Sequence, residues 1–65
     1  MTIVHLIKKG DKRVYSIKRV RPSTIEKNLR GHYADFVVVD GEINDELKET
    51  IELLVAVKNG RWIQI

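Results

Sequence analysis

Two histidines, a serine and a group of carboxylates are the residues whose types could support catalysis. His5 lies in the first apolar stretch, and Ser16 falls opposite it if two N-terminal strands pair about Gly10-Asp11. A serine beside an imidazole is half of a nucleophile–base arrangement, which also needs a group to orient the ring and donors for an oxyanion. The sequence offers neither nearby, so the pair reads as two polar side chains on a sheet. His32 follows Gly31 at the expected end of a helix, where an exposed imidazole is ordinary. Asp40, Glu42, Asp45, Glu46 and Glu49 crowd the start of a second helix, where acidic side chains complement the dipole. They lack the alternating ligands, central glycine and terminal glutamate of a calcium-binding loop. Gly31 and Gly41 are isolated, so no glycine-rich loop cradles a phosphate. No catalytic residue, cofactor or metal site is expected.

The basic residues carry more information. Residues 1–32 hold nine Lys and Arg against Asp11 and Glu26, a net of +7, whereas residues 33–65 hold three against seven carboxylates, a net of −4. Lys8, Lys9, Lys12 and Arg13 converge at one hairpin tip. Lys18, Arg19 and Arg21 continue towards Pro22, and Lys27 and Arg30 lie on the helix beyond. Such a set can track a phosphate backbone, with an affinity that falls steeply with salt. Lysines also protect exposed strand edges from unwanted pairing, which is the structural alternative. Tyr15, Tyr33, Phe36 and Trp62 are too scattered for a base-stacking platform, so phosphate contacts would dominate with little sequence discrimination.

These residues must be positioned by short elements. Residues 2–9 and 12–20 read as two strands about Gly10-Asp11, a two-residue loop suited to a type II′ turn. That register pairs Lys8 with Arg13, Leu6 with Tyr15 and Val4 with Ile17. Ser23 followed by Glu26 has the form of a capping box and predicts a helix over 24–30, with Gly31 as its left-handed end. Phe36 to Val39 is a β-branched and aromatic run without polar alternation, which predicts a central strand. Asn44 or Asp45 opens the second helix, with Leu47, Ile51, Leu54 and Val57 on its apolar face. We read that helix as running to Lys58, with Gly60 as a left-handed cap and a last strand over 61–65. Asn59-Gly60 between apolar runs is also a hairpin signal, so the alternative is a C-terminal β-hairpin at 53–65. The expected fold is α+β, in the order ββαβαβ, with an N-terminal β-hairpin and two helices packed on one face of a small sheet.

Sixty-five residues, 43% of them apolar and 32% charged, suit one domain spanning 1–65 near the lower limit for folding alone. No apolar run is long enough to span a bilayer, and the N-terminus lacks the pattern of a signal peptide. With no cysteine to oxidise, a cytoplasmic location is expected. No stretch carries a motif that assigns the chain to a family. The expected function is that of a small non-enzymatic binding module contacting nucleic acid phosphates through Lys8, Lys9, Lys12, Arg13, Lys18, Arg19 and Arg21. The alternative is a protein-interaction module, an adaptor or inhibitor, using the acidic second helix or a strand edge. A homodimer assembled head to tail is a further arrangement that the charge split permits.

Overall fold

A computed structural model of the chain describes residues 1–31 and 34–65. His32 and Tyr33 lie outside the described residues. Six elements follow in the order β1 Ile3–Ile7, β2 Val14–Ile17, α1 Pro22–Gly31, β3 Phe36–Asp40, α2 Asp45–Val57 and β4 Arg61–Gln64. The strands form one sheet in the order β2-β1-β3-β4. β1 runs antiparallel to both of its neighbours, and β4 lies parallel to β3. The expected ββαβαβ order is the observed one, and α2 is the crossover that a parallel β3–β4 pair requires.

β1 and β2 pair Val4 with Ile17 and Leu6 with Tyr15, in the expected register. The turn differs from expectation. Ladder pairing stops at Ile7 and Val14, and the Asp11 amide donates to the Lys8 carbonyl at 3.1 Å. Gly10, with φ of +87°, therefore takes the third place of a Lys8–Asp11 turn rather than the first central place of a two-residue loop. The Asp11 carboxylate accepts the Arg13 amide at 2.9 Å, which diverts that amide from the ladder, so Lys8 and Arg13 do not pair.

α1 begins earlier than the sequence reading placed it. Pro22 is its first residue, where a fixed φ helps and the missing amide costs nothing, and the Ile25 amide donates to the Arg21 carbonyl at 2.9 Å. Ser23 thus lies inside the helix and cannot cap it. Glu26 instead pairs with Arg30 one turn on, at 2.9 Å. Gly31 does not have a positive φ, so it continues the helix rather than closing it in a left-handed conformation.

α2 is capped by Asn44, whose side chain accepts the Leu47 amide at 2.8 Å. Leu47, Ile51 and Val55 are its buried residues. Val57, expected in the core, is 83% exposed. At 3.6 residues per turn it lies about 120° from the stripe centred on Ile51. The helix ends in a Schellman motif, with the Gly60 amide on Val55 O at 3.0 Å and the Asn59 amide on Ala56 O at 3.1 Å. The left-handed residue is Asn59, with φ of 53°, and not Gly60. Gly60 is required for a different reason. A Cβ there would stand 2.9 Å from the Asp35 carbonyl, so only glycine lets β4 enter the sheet beside β3. The C-terminal hairpin alternative is excluded, because residues 45–57 are helical and β4 pairs with β3.

Val4, Leu6 and Ile17 from the hairpin, Val37 and Val39 from β3, and Ile25, Leu29, Leu47, Ile51 and Val55 from the helices form one buried cluster, with Trp62 packed against it. Both helices therefore cover one face of the sheet. The opposite face carries Ile3, Ile7, Phe36 and Val38, half-buried, with Val14 and Ile63 exposed.

Candidate nucleic-acid interface

The edge strand β2 organises the candidate residues. Lys8, Lys9, Lys12 and Arg13 occupy the loop before it, and Lys18, Arg19 and Arg21 occupy the segment between it and α1. All seven are exposed. Four residues at about 3.3 Å each separate the clusters by roughly 13 Å. The structure thus places four of the set at the hairpin tip and three at the far end of β2. The two faces differ as well. Lys8 and Arg13 line a groove with Leu6, Tyr15 and Gly31 and so border the helix side of the sheet.

The loop before β2 is held in place. The Lys9 amide donates to the Asp35 carboxylate at 2.7 Å, and the Asp35 amide donates to Ile7 O at 3.0 Å. The Asp35 carbonyl accepts the Arg61 amide at 2.9 Å. One residue before β3 therefore ties the basic loop to β1 on one side and β4 on the other, at one end of the sheet. Within the loop, Arg13 Nε stands 3.7 Å from Asp11 Oδ1, a long ion pair whose arginine side is almost fully solvated. The Arg13 amide, with the nearby charges of Arg13 and Lys8, holds the Asp11 carboxyl below the usual carboxylate range.

A groove of about 510 Å³ opens between this loop and the end of α1. Leu6, Val14 and Tyr15 supply its apolar wall, Lys8, Asp11 and Arg13 its polar rim, and Gly31 its far side. Tyr15 is 48% exposed and follows Arg13 by two residues, and both line the groove. A planar group could lie against that ring while a phosphate meets the flanking cations.

Other basic residues are engaged differently. Arg30 is paired with Glu26 on α1. The Lys58 ammonium donates to the Leu29 carbonyl, joining the end of α2 to the last turn of α1. The acidic residues Asp45, Glu46, Glu49 and Glu52 are exposed on α2, which packs against β4 and α1. β2 and β4 are opposite edges of the sheet, so the seven candidate cations and the α2 carboxylates lie towards opposite edges, while Asp11 and Asp35 stand beside the basic loop and Arg61 lies on β4.

His5 Nδ1 and Ser16 Oγ lie 2.7 Å apart on the uncovered sheet face, as the register implied. Val38 is the ladder partner of His5 on its other side, so the imidazole has an apolar neighbour there rather than a carboxylate. Among the described residues no cluster of three or more His, Asp or Glu is arranged to hold a metal ion. Among them, too, no helix is long and apolar enough to cross a membrane. No family model matches the chain, and no curated protein or solved structure matches it either.

Asp35 was not singled out from the sequence, because its role depends on backbone groups that approach only in the folded sheet. The apolar second face was legible in part: Ile3, Ile7, Phe36 and Val38 alternate with core residues that are equally apolar.

Proposed function

We propose that the chain is a non-enzymatic module that binds nucleic acid by laying the β2 edge along a phosphate backbone. The observation that carries this reading is the pair of exposed cation clusters at the two ends of one exposed edge strand, with the acidic helix on the far side. Seven exposed cations against Asp11 alone in the loop give long-range attraction to a polyanion, and the placement of the α2 carboxylates towards the other edge limits repulsion. Lys8 and Arg13 flank the Tyr15 groove, which suits a phosphate with an adjoining base. A single ring in a groove gives little sequence discrimination, so backbone contacts set the affinity. A cytoplasmic location goes with this reading, since a chain without cysteine has no disulfide to form.

One observation favours a second reading. Leu53 is 63% and Val57 83% exposed, one turn apart on α2 among the carboxylates. An apolar pair within an acidic helix face suits a basic, amphipathic protein segment.

The deciding experiment is fluorescence anisotropy on short duplex and single-stranded oligonucleotides at about 50 mM salt, where phosphate contacts are least screened. Saturable binding that weakens with salt supports the proposal. Absence of binding at tens of micromolar protein overturns it in favour of the α2 surface.

A further inference from the structure

The sheet face that the helices leave open is laid out in rows by the strand register. Val14, Ile7, Phe36 and Arg61 form one row, Ser16, His5, Val38 and Ile63 the next, and Ile3 and Asp40 the third. Its centre is apolar. Its polar pair, His5 and Ser16, is already hydrogen-bonded internally at 2.7 Å. Arg61 and Asp40 stand at opposite ends of the face, and neither has an ion pair among the described residues.

We infer that this face docks a second copy of the chain, sheet against sheet. A face with a cation at one end and an anion at the other is self-complementary under a two-fold axis running across the strands. That axis brings Arg61 of each copy towards Asp40 of the other, while Val38 meets Val38 and Ile63 meets Ile63 near the axis. Two sheets pack about 10 Å apart with interdigitating side chains, a span that an arginine crosses easily. Nucleic acid is a poor occupant, because an apolar centre separates the few rim charges, Arg61 and Lys18 against Asp40, and Phe36 is the only aromatic ring on the face among the described residues. Four strands about 4.8 Å apart and five residues of about 3.4 Å give a footprint of roughly 19 by 17 Å. That is small beside the ~800 Å² per partner of a standard interface, so the dimer is weak and concentration-dependent. The same axis brings the two basic edges nearer each other, a repulsion that salt screens.

Sedimentation equilibrium of the protein alone, from about 10 μM to 1 mM at roughly 0.2 M salt, where the Debye length is under about 10 Å, tests this. The expected result is a reversible monomer–dimer equilibrium with a dissociation constant of order 10–300 μM, as a small interface allows. Ile63→Lys should weaken it by about tenfold or more, and as Ile63 is 46% exposed the variant should fold normally by circular dichroism. Arg61→Asp and Asp40→Arg should each weaken it about tenfold by placing like charges together, and the double reversal should restore it. A protein that stays monomeric at about 1 mM overturns the inference, as does an association indifferent to Ile63→Lys. A double reversal no tighter than either single change overturns the two-fold arrangement. No nucleic acid enters the measurement, so its outcome is independent of the β2-edge proposal.

Discussion

The backbone amide of Lys9 donates to the carboxylate of Asp35 at 2.7 Å, across 26 residues of sequence. Through it, the loop that carries four of the candidate cations is fastened to the start of the central strand β3. A loop of like charges would otherwise repel itself into many conformations, and ordering it would add to the cost of binding.

Asp35→Ala removes that fastening. Hydrogen bonds to charged groups contribute about 1.5–3 kcal/mol, and solvent exposure brings this one below that range, to about 1 kcal/mol. A loss of about 1 kcal/mol lowers the melting temperature of so small a domain by roughly 4–8 °C. Amide exchange at Lys9 should accelerate while that of Val37 and Val39 follows only the change in global stability. An unchanged Lys9 exchange rate would show that the contact does not form in solution.

The two helix starts make a contrasting pair. Asn44→Ala removes a cap hydrogen bond and should cost about 1 kcal/mol. Ser23→Ala should stay within about 0.5 kcal/mol, because Ser23 is an exposed residue inside α1 and Pro22 opens the helix. Urea denaturation of both variants checks the order. Equal losses would return the helix start to Ser23.

Asp11 gives a pH dependence of known sign. Its carboxyl titrates below the ordinary value in the folded chain, because the ionised form accepts the Arg13 amide. The stabilisation is complete above the unfolded pKa, near 3.9, and is lost as pH falls through the depressed folded value. Asp11→Asn should therefore flatten the acid limb of the stability curve below about pH 4. Carbon-detected titration of the wild-type carboxyl reads the shift directly, and a midpoint at or above the model-peptide value would contradict the turn geometry.

Binding along the β2 edge sets a salt dependence. Four to seven phosphate contacts predict a log–log slope of about −4 to −6 on duplex DNA. Replacing Lys8, Lys9, Lys12 and Arg13 by Gln should weaken binding on all sequences alike and make the slope shallower by about one unit per lost contact. The same change in Lys18, Arg19 and Arg21 should act similarly, because the clusters lie at the two ends of one strand. Lys48→Gln is the control. Lys58 is unsuitable for that purpose, since its ammonium holds the Leu29 carbonyl and its loss would disturb helix packing. Changing Glu46, Glu49 and Glu52 to Gln should leave binding unchanged or slightly stronger. A slope unaffected by either set of lysine and arginine changes would exclude the β2 edge as the contact.

The sequence by itself determined the order of the first five elements and the pairing of Val4 with Ile17 and Leu6 with Tyr15. Each rests on local signals that tertiary structure had no reason to override: a glycine turn between two strand-forming stretches, and the helical spacing of Leu47 and Ile51 behind Asn44. Local signals leave the end of α2 open between a helix stop and a hairpin at Asn59-Gly60, and the pairing of β4 with β3 decided it. The sequence also determined that positive charge is concentrated in the first half of the chain. Tertiary structure decided the rest. Pro22 displaced Ser23 at the start of α1, because two local signals competed and only the backbone path from β2 selects between them. Asn59 rather than Gly60 became left-handed, because α2 is capped at Lys58, which puts Asn59 in the left-handed place of the Schellman motif, while the Asp35 carbonyl leaves no room for a Cβ at Gly60. How far apart the two groups of cations stand depended on where β2 stops pairing and α1 begins. The uncovered apolar face arises because both crossovers, through α1 and through α2, pass on the same side of the sheet. Composition cannot carry that information, since the side on which a helix crosses is a property of chain path and strand order.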